Sequence, residues 1–93
     1  MRTAPAERQQ AEQVLRDEGW TVVKISKNLM RVEPTEYLNM ANWCEQYIGS
    51  GRLEPGHKWL DDQDVWYSFT WYGYWSFHFK HEQDAVAFSL RWL

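Results

Sequence analysis

Apolar and polar positions alternate most regularly over residues 65–80. Val65, Tyr67, Phe69 and Trp71 alternate with Trp66, Ser68, Thr70 and Tyr72. Beyond Gly73, Trp75, Phe77 and Phe79 alternate with Tyr74, Ser76, His78 and Lys80. A period of two on both sides of a glycine predicts a β-hairpin. Register then bears on its loop. A two-residue Tyr72-Gly73 turn would set Phe69 opposite Ser76 and mix the faces. An odd-length loop centred on Gly73 sets Phe69 opposite Phe77 and Tyr67 opposite Phe79, so a loop of about three or five residues is expected.

The rest of the chain divides by the same patterning. Residues 4–18 are good helix formers with a thin apolar stripe of Ala4, Ala11, Val14 and Leu15, and Gly19 suits a stop. That pattern predicts an N-terminal surface helix within residues 1–19, or one awaiting a partner. Residues 20–25 and 29–33 read as two strands. A Lys27-Asn28 turn would place Ile25 against Met30 and Val23 against Val32, all on one side of the ribbon. Pro34 and Thr35 open a helix whose stripe is Tyr37, Met40, Ala41, Cys44, Tyr47 and Ile48. Residues 49–64 read as a loop region, with Trp59 and Leu60 pinning its far end before a polar turn of Asp61, Asp62 and Asp64. A last helix starts near His81. Its wide arc of Ala85, Val86, Phe88, Leu90, Trp92 and Leu93 predicts burial along most of its length. The order α-β-β-α-β-β-α predicts a single small α+β domain spanning residues 1–93, with a four-stranded, largely antiparallel sheet and helices packed against it.

Composition sharpens this picture at two points. Seven Trp, five Tyr and four Phe supply 17% of the chain, and buried rings remove enough apolar area from water to hold 93 residues together. A net charge of −3 argues against broad phosphate-backbone binding, which needs a basic stripe. The single cysteine excludes an internal disulfide and a cysteine-based zinc cluster. No apolar run approaches the roughly 18 residues of a membrane span, and no secretory segment follows Met1, so a cytoplasmic setting is expected.

Candidate chemistry is sparse. Cys44 lies on an apolar helical stripe and reads as a core residue rather than a nucleophile. His78 and His81 are spaced H-x-x-H, but a strand-to-helix boundary between them removes the helical geometry a chelating pair needs, and no metal signature is present. No metal or cofactor is expected. Gly49, Gly51 and Gly56 are not followed by the Gly-Lys-Ser/Thr of a P-loop, and no nucleophile elbow appears, so enzyme activity is not expected.

The hairpin's second set of residues combines rings with small hydroxyls. Trp66, Thr70, Tyr72, Tyr74, Ser76 and His78 have the composition of a protein-binding face, where rigid rings give contact area with few rotors to freeze. Bases of single-stranded nucleic acid stacking on the same rings are the alternative, with Arg52, Lys58 and Lys80 as the basic residues. A third reading is that the N-terminal helix or a second copy covers this face.

From Trp43 onward, the run Trp43-Cys44-Glu45-Gln46-Tyr47-Ile48-Gly49, then Trp59, then Phe77-His78-Phe79-Lys80 with Asp84-Ala85, Phe88, Leu90, Arg91 and Trp92, resembles uncharacterised small proteins of tailed bacteriophages of marine bacteria. The resemblance covers residues 43–93 and implies a viral origin, and with it a location in the host cytoplasm or the virion; it implies no activity. The combined expectation is a non-enzymatic interaction module that binds a host or virion protein, as an inhibitor or takeover factor. Self-assembly is a further alternative.

Overall fold

The computed structural model describes residues 5–26 and 34–93. Helix α1 (Pro5–Asp17) leads into strand β1 (Thr21–Ser26). Helix α2 (Pro34–Tyr47) precedes a short strand β2 (Gly51–Leu53) and a 3-10 turn (His57–Trp59). Strands β3 (Trp66–Trp71) and β4 (Tyr74–Phe79) form the hairpin, and helix α3 (Glu82–Trp92) follows. The α+β class and the four-stranded sheet are as the patterning predicts. The expected strand over residues 29–33 and its pairing with β1 lie outside the described residues.

The strands are ordered β1-β4-β3-β2. β1 and β3 both run antiparallel to β4, whereas β2 runs parallel to β3, so the sheet is mixed. The strand β2 lies within the stretch expected to be loop. Three residues with a glycine carry too little periodicity to be read as a strand.

The hairpin corrects the register expectation. Trp71 pairs with Tyr74 and Phe69 with Ser76, so the turn is the two-residue Tyr72-Gly73 and not an odd-length loop. Gly73, at φ 85°, supplies the positive φ such a turn needs at its second position. The expectation assumed that one face of the ribbon is apolar and the other wet. Both faces are buried over most of the hairpin instead, so the register is not set by keeping one face dry.

On one face Trp66, Trp75, Phe77 and Phe79 join Val23 and Ile25 of β1 against Met40, Ala41 and Cys44 of α2 and Ala85 and Phe88 of α3. Phe88 lies 4.6 Å from the Phe77 ring and 5.2 Å from that of Phe79. On the other face Tyr67 and Phe69 pack against Ala11 and Leu15 of α1, with Trp20, Leu60 and Trp71 around them. Helix α1 is therefore a covering layer of the sheet. Its thin stripe suffices because, among its described residues, Ala11 and Leu15 are the ones that reach the core. The helix ends with Trp20 N donating to Leu15 O and Gly19 N to Arg16 O, the paired bonds of a Schellman stop.

The β2 edge is finished by side chains. Past Leu53, Glu54 N donates to Ser68 O. At the next pairing position, Thr70 N donates to a Glu54 carboxylate oxygen. Arg8 of α1 bonds both Thr70 O (3.0 Å) and Glu54 (2.7 Å). A carboxylate and a guanidinium thus take the places of a strand's carbonyl and amide.

Gly51 sits directly under the Trp66 indole, so close that a Cβ there would fall inside its ring atoms. Trp66 cannot yield easily, because it is buried and its Nε1 donates to Gly49 O at 2.8 Å. Gly51→Ala should cost about 1–3 kcal/mol through overpacking. A urea-unfolding midpoint unchanged from the parent would show that β2 is not held against Trp66 in this way.

Candidate functional site

The six hairpin residues expected to share a face do not share one. Trp66 (2% exposed) belongs to the core beneath α2 and α3. Thr70 is partly exposed at the Glu54–Arg8 edge. Tyr72 is fully exposed at the turn tip, and Tyr74 is half-buried with Lys24 Nζ 5.3 Å from its ring centroid. Ser76 and His78 are fully buried. The two-residue turn is the reason: it places Trp66, Ser68 and Thr70 opposite Phe79, Phe77 and Trp75, and Tyr67, Phe69 and Trp71 opposite His78, Ser76 and Tyr74. The aromatic platform expected for a protein partner or for bases is thus corrected to two covered faces, one of them lying under α1.

The same covering creates a buried polar group. His78 Nε2 lies 3.0 Å from Ser76 Oγ and 3.5 Å from Glu12 Oε2 of α1, while Trp71 Nε1 donates to Ser76 Oγ at 2.8 Å. The Phe69 ring meets the imidazole edge-on at 5.2 Å. A carboxylate at that distance favours a charged ring, but burial, together with Arg16 and Lys24, outweighs it and pushes the His78 pKa down to about 4. The ring is neutral at pH 7, and the Glu12 contact is not an ion pair. Serine, histidine and glutamate resemble a nucleophile–base–acid set, but serine and acid both approach the same ring nitrogen, and Nδ1 has no hydrogen-bond partner. A relay needs the acid on Nδ1. The group is enclosed between α1 and the sheet, and Ser76 Oγ is buried within it.

Other candidates resolve similarly. The Cys44 thiol is buried, which pushes its pKa up to about 12, so it is a protonated core group at neutral pH. Arg52 Nε lies 3.5 Å from the Asp64 carboxylate, and Lys80 lines a cleft that contains three exposed carboxylates, so they do not form a basic stripe with Lys58. Asp64 is buried, accepting from Ser50 Oγ at 2.8 Å. Tyr67 OH accepts from Asp61 N and lies 3.0 Å from Asp64 Oδ2; desolvation raises its pKa to about 12 and keeps it a donor. Asp64 is thus tied down, while the Asp61 and Asp62 carboxylates remain exposed. No group of three or more metal-ligating side chains occurs among the described residues.

The largest departure lies on α3. Only Ala85 and Phe88 of this helix are buried, and Trp92 is half-buried. Val86 (52%), Leu90 (82%) and Leu93 (65%) are exposed. They follow one another at four and three residues and therefore form one row on the helix. Val86 and Leu90 border a groove of about 390 Å³ whose other wall is Thr21, Val22 and Val23 of β1. The expectation that α3 is buried along most of its length is corrected here. Its apolar arc is wider than the sheet can cover, and that excess width was the signal in the sequence.

Comparisons with protein-family models, curated proteins and solved structures give no match to this chain. No described helix is long and apolar enough to cross a membrane.

Proposed function

We propose that this chain is a non-enzymatic interaction module that docks a partner protein on α3 and the β1 side of the sheet. The observation that supports the reading is the row Val86, Leu90 and Leu93, continuous with the apolar groove against β1. Single exposed leucines are common, but a contiguous apolar row beside a groove marks an interaction surface. The occupant that fits is an apolar helix or strand edge of another protein, because the groove offers side-chain pockets and little charge. The resemblance of residues 43–93 to tailed-phage proteins suggests a host or virion protein as that partner. The residues that carry the resemblance include Cys44, Phe77, Phe79 and Phe88, which are core here, so it bears on fold more than on site.

Pull-down from a bacterial lysate with the parent and with Leu90→Glu tests the reading. A stoichiometric protein held by the parent after nuclease treatment and lost by Leu90→Glu is the expected result. Tyr72→Ser, at the exposed hairpin tip, should retain it. Since Leu90 is 82% exposed, Leu90→Glu should unfold within about 0.5 kcal/mol of the parent. Retention of the partner by Leu90→Glu, or its loss with Tyr72→Ser, would move the site off α3.

A further inference from the structure

A second concavity, unrelated to the α3 row, opens between the end of α1 and the acidic turn. It encloses about 440 Å³, within the range of small-ligand sites of about 300–1,000 Å³. Its apolar lining is Val14, Leu15, Trp20, Leu60 and Tyr67. Trp20 stacks on Tyr67 with ring centroids 5.3 Å apart and remains partly exposed. Tyr67 is itself fixed by its bonds to the Asp61 backbone and the Asp64 carboxylate, so the aromatic wall is preformed.

The rim carries the charge. Glu18, Asp61 and Asp62 are exposed and line the cleft, and none of them forms an ion pair among the described residues. Asp64 is not counted with them, because Arg52 and Ser50 already hold it. Lys80 and His81 are the basic lining residues, and the three exposed carboxylates outnumber them, so the rim keeps a negative balance. These carboxylates ring an apolar opening and do not converge as metal ligands. A negative rim over an indole wall suits an organic cation: the rim attracts its charge, the ring face adds cation–π attraction, and the apolar floor takes its stem.

We propose that this cleft binds an alkyl cation, an ammonium or guanidinium group on an apolar stem. The same chemistry occurs in a free polyamine-type amine and in an arginine or lysine side chain of a partner. Two probes separate these sources: agmatine, and the tripeptide acetyl-Gly-Arg-Gly-amide. The neutral isostere acetyl-Gly-citrulline-Gly-amide is the control. Titrations followed by 15N–1H spectra should shift the Trp20 indole N–H and the amides of Leu60, Asp61 and Asp62, with little change at Leu90. Tighter binding of the tripeptide than of agmatine would assign the cleft to a protein segment, and the reverse to a free amine; either carries the proposal.

The paired change Glu18→Gln and Asp62→Asn should weaken binding about tenfold, and Lys80→Gln should tighten it several-fold. These residues are exposed, so the spectra of the variants should retain the parent dispersion. The proposal is overturned by the absence of shifts with either cation up to about 10 mM. Equal shifts from the citrulline peptide, or unchanged affinity in the paired variant, would overturn it as well.

Discussion

Phe77→Ala should cost about 3–5 kcal/mol, the cost of removing a buried phenylalanine ring whose surroundings cannot collapse into the gap. Phe77 is fully buried on β4. Its ring lies 4.6 Å from Phe88 of α3, 5.8 Å from Tyr37 of α2 and 6.5 Å from Phe79. Across the strands it pairs with Val23 and Ser68. One side chain therefore touches both helices of that layer and both neighbouring strands. The backbone ladder fixes the strands, and rings fixed by packing close a gap poorly. Against a typical domain stability of about 5–15 kcal/mol, such a loss leaves little reserve. Urea unfolding followed by fluorescence should show a large drop in midpoint with an unchanged slope. A loss below about 1 kcal/mol would mean that α2 and α3 do not close on the sheet through this ring.

Acid should destabilise the protein in a window set by His78. Its folded pKa is depressed to about 4, while the unfolded chain keeps the ordinary value near 6.5. Above pH 6.5 both states are neutral at this site, and the stability is fully present. Between pH 6.5 and 4 the unfolded chain takes up the proton and the native state does not, so stability falls by about 1.4 kcal/mol per pH unit. Below pH 4 both states are charged and this contribution levels off, for a total on the order of 3 kcal/mol. The groups facing the ring are Glu12 and Arg16 of α1, Lys24 of β1, and Ser76 and Phe69 within the hairpin. Urea midpoints at pH 7.5, 6.5, 5.5 and 5 should fall steadily below pH 6.5. His78→Gln should flatten that slope. A parent profile as flat as the variant's would show that the imidazole gains access to water or to the Glu12 charge.

Much of this fold was legible from residue order. Period-two alternation placed the hairpin, three-and-four spacing placed α2, and Gly19 marked the end of α1. What the patterning could not carry was the wet or dry status of each face. Alternation of Tyr67, Phe69 and Trp71 with Trp66, Ser68 and Thr70 is the same string whether one face or both are covered. Polarity places Ser76 and His78 outward, yet Trp71 Nε1 donates to Ser76 Oγ and the His78–Ser76 contact pairs polar atoms inside the protein. On α3 the mismatch runs the opposite way: hydrophobicity assigns Leu90 and Leu93 to the core, and both are exposed. Strand β2 was illegible for a third reason. It is held by Gly51 under an indole and by Glu54 at the strand end, and both contacts depend on partners distant in sequence. The candidate cleft was visible only in pieces, since Trp20, Leu60 and the acidic turn meet only after folding.

The Glu54–Arg8 pair ties completion of the sheet to the arrival of the first helix. Arg8 and Thr70 are 62 positions apart, so the last backbone carbonyl of that edge is satisfied by a contact that spans most of the chain, while the Thr70 amide is met by Glu54. A truncated chain without α1 would bare the Thr70 carbonyl at that edge together with the apolar face of Tyr67, Phe69 and Trp71, a template for association with other chains. Loss of the N-terminal helix would therefore appear first as aggregation, before any question of binding arises.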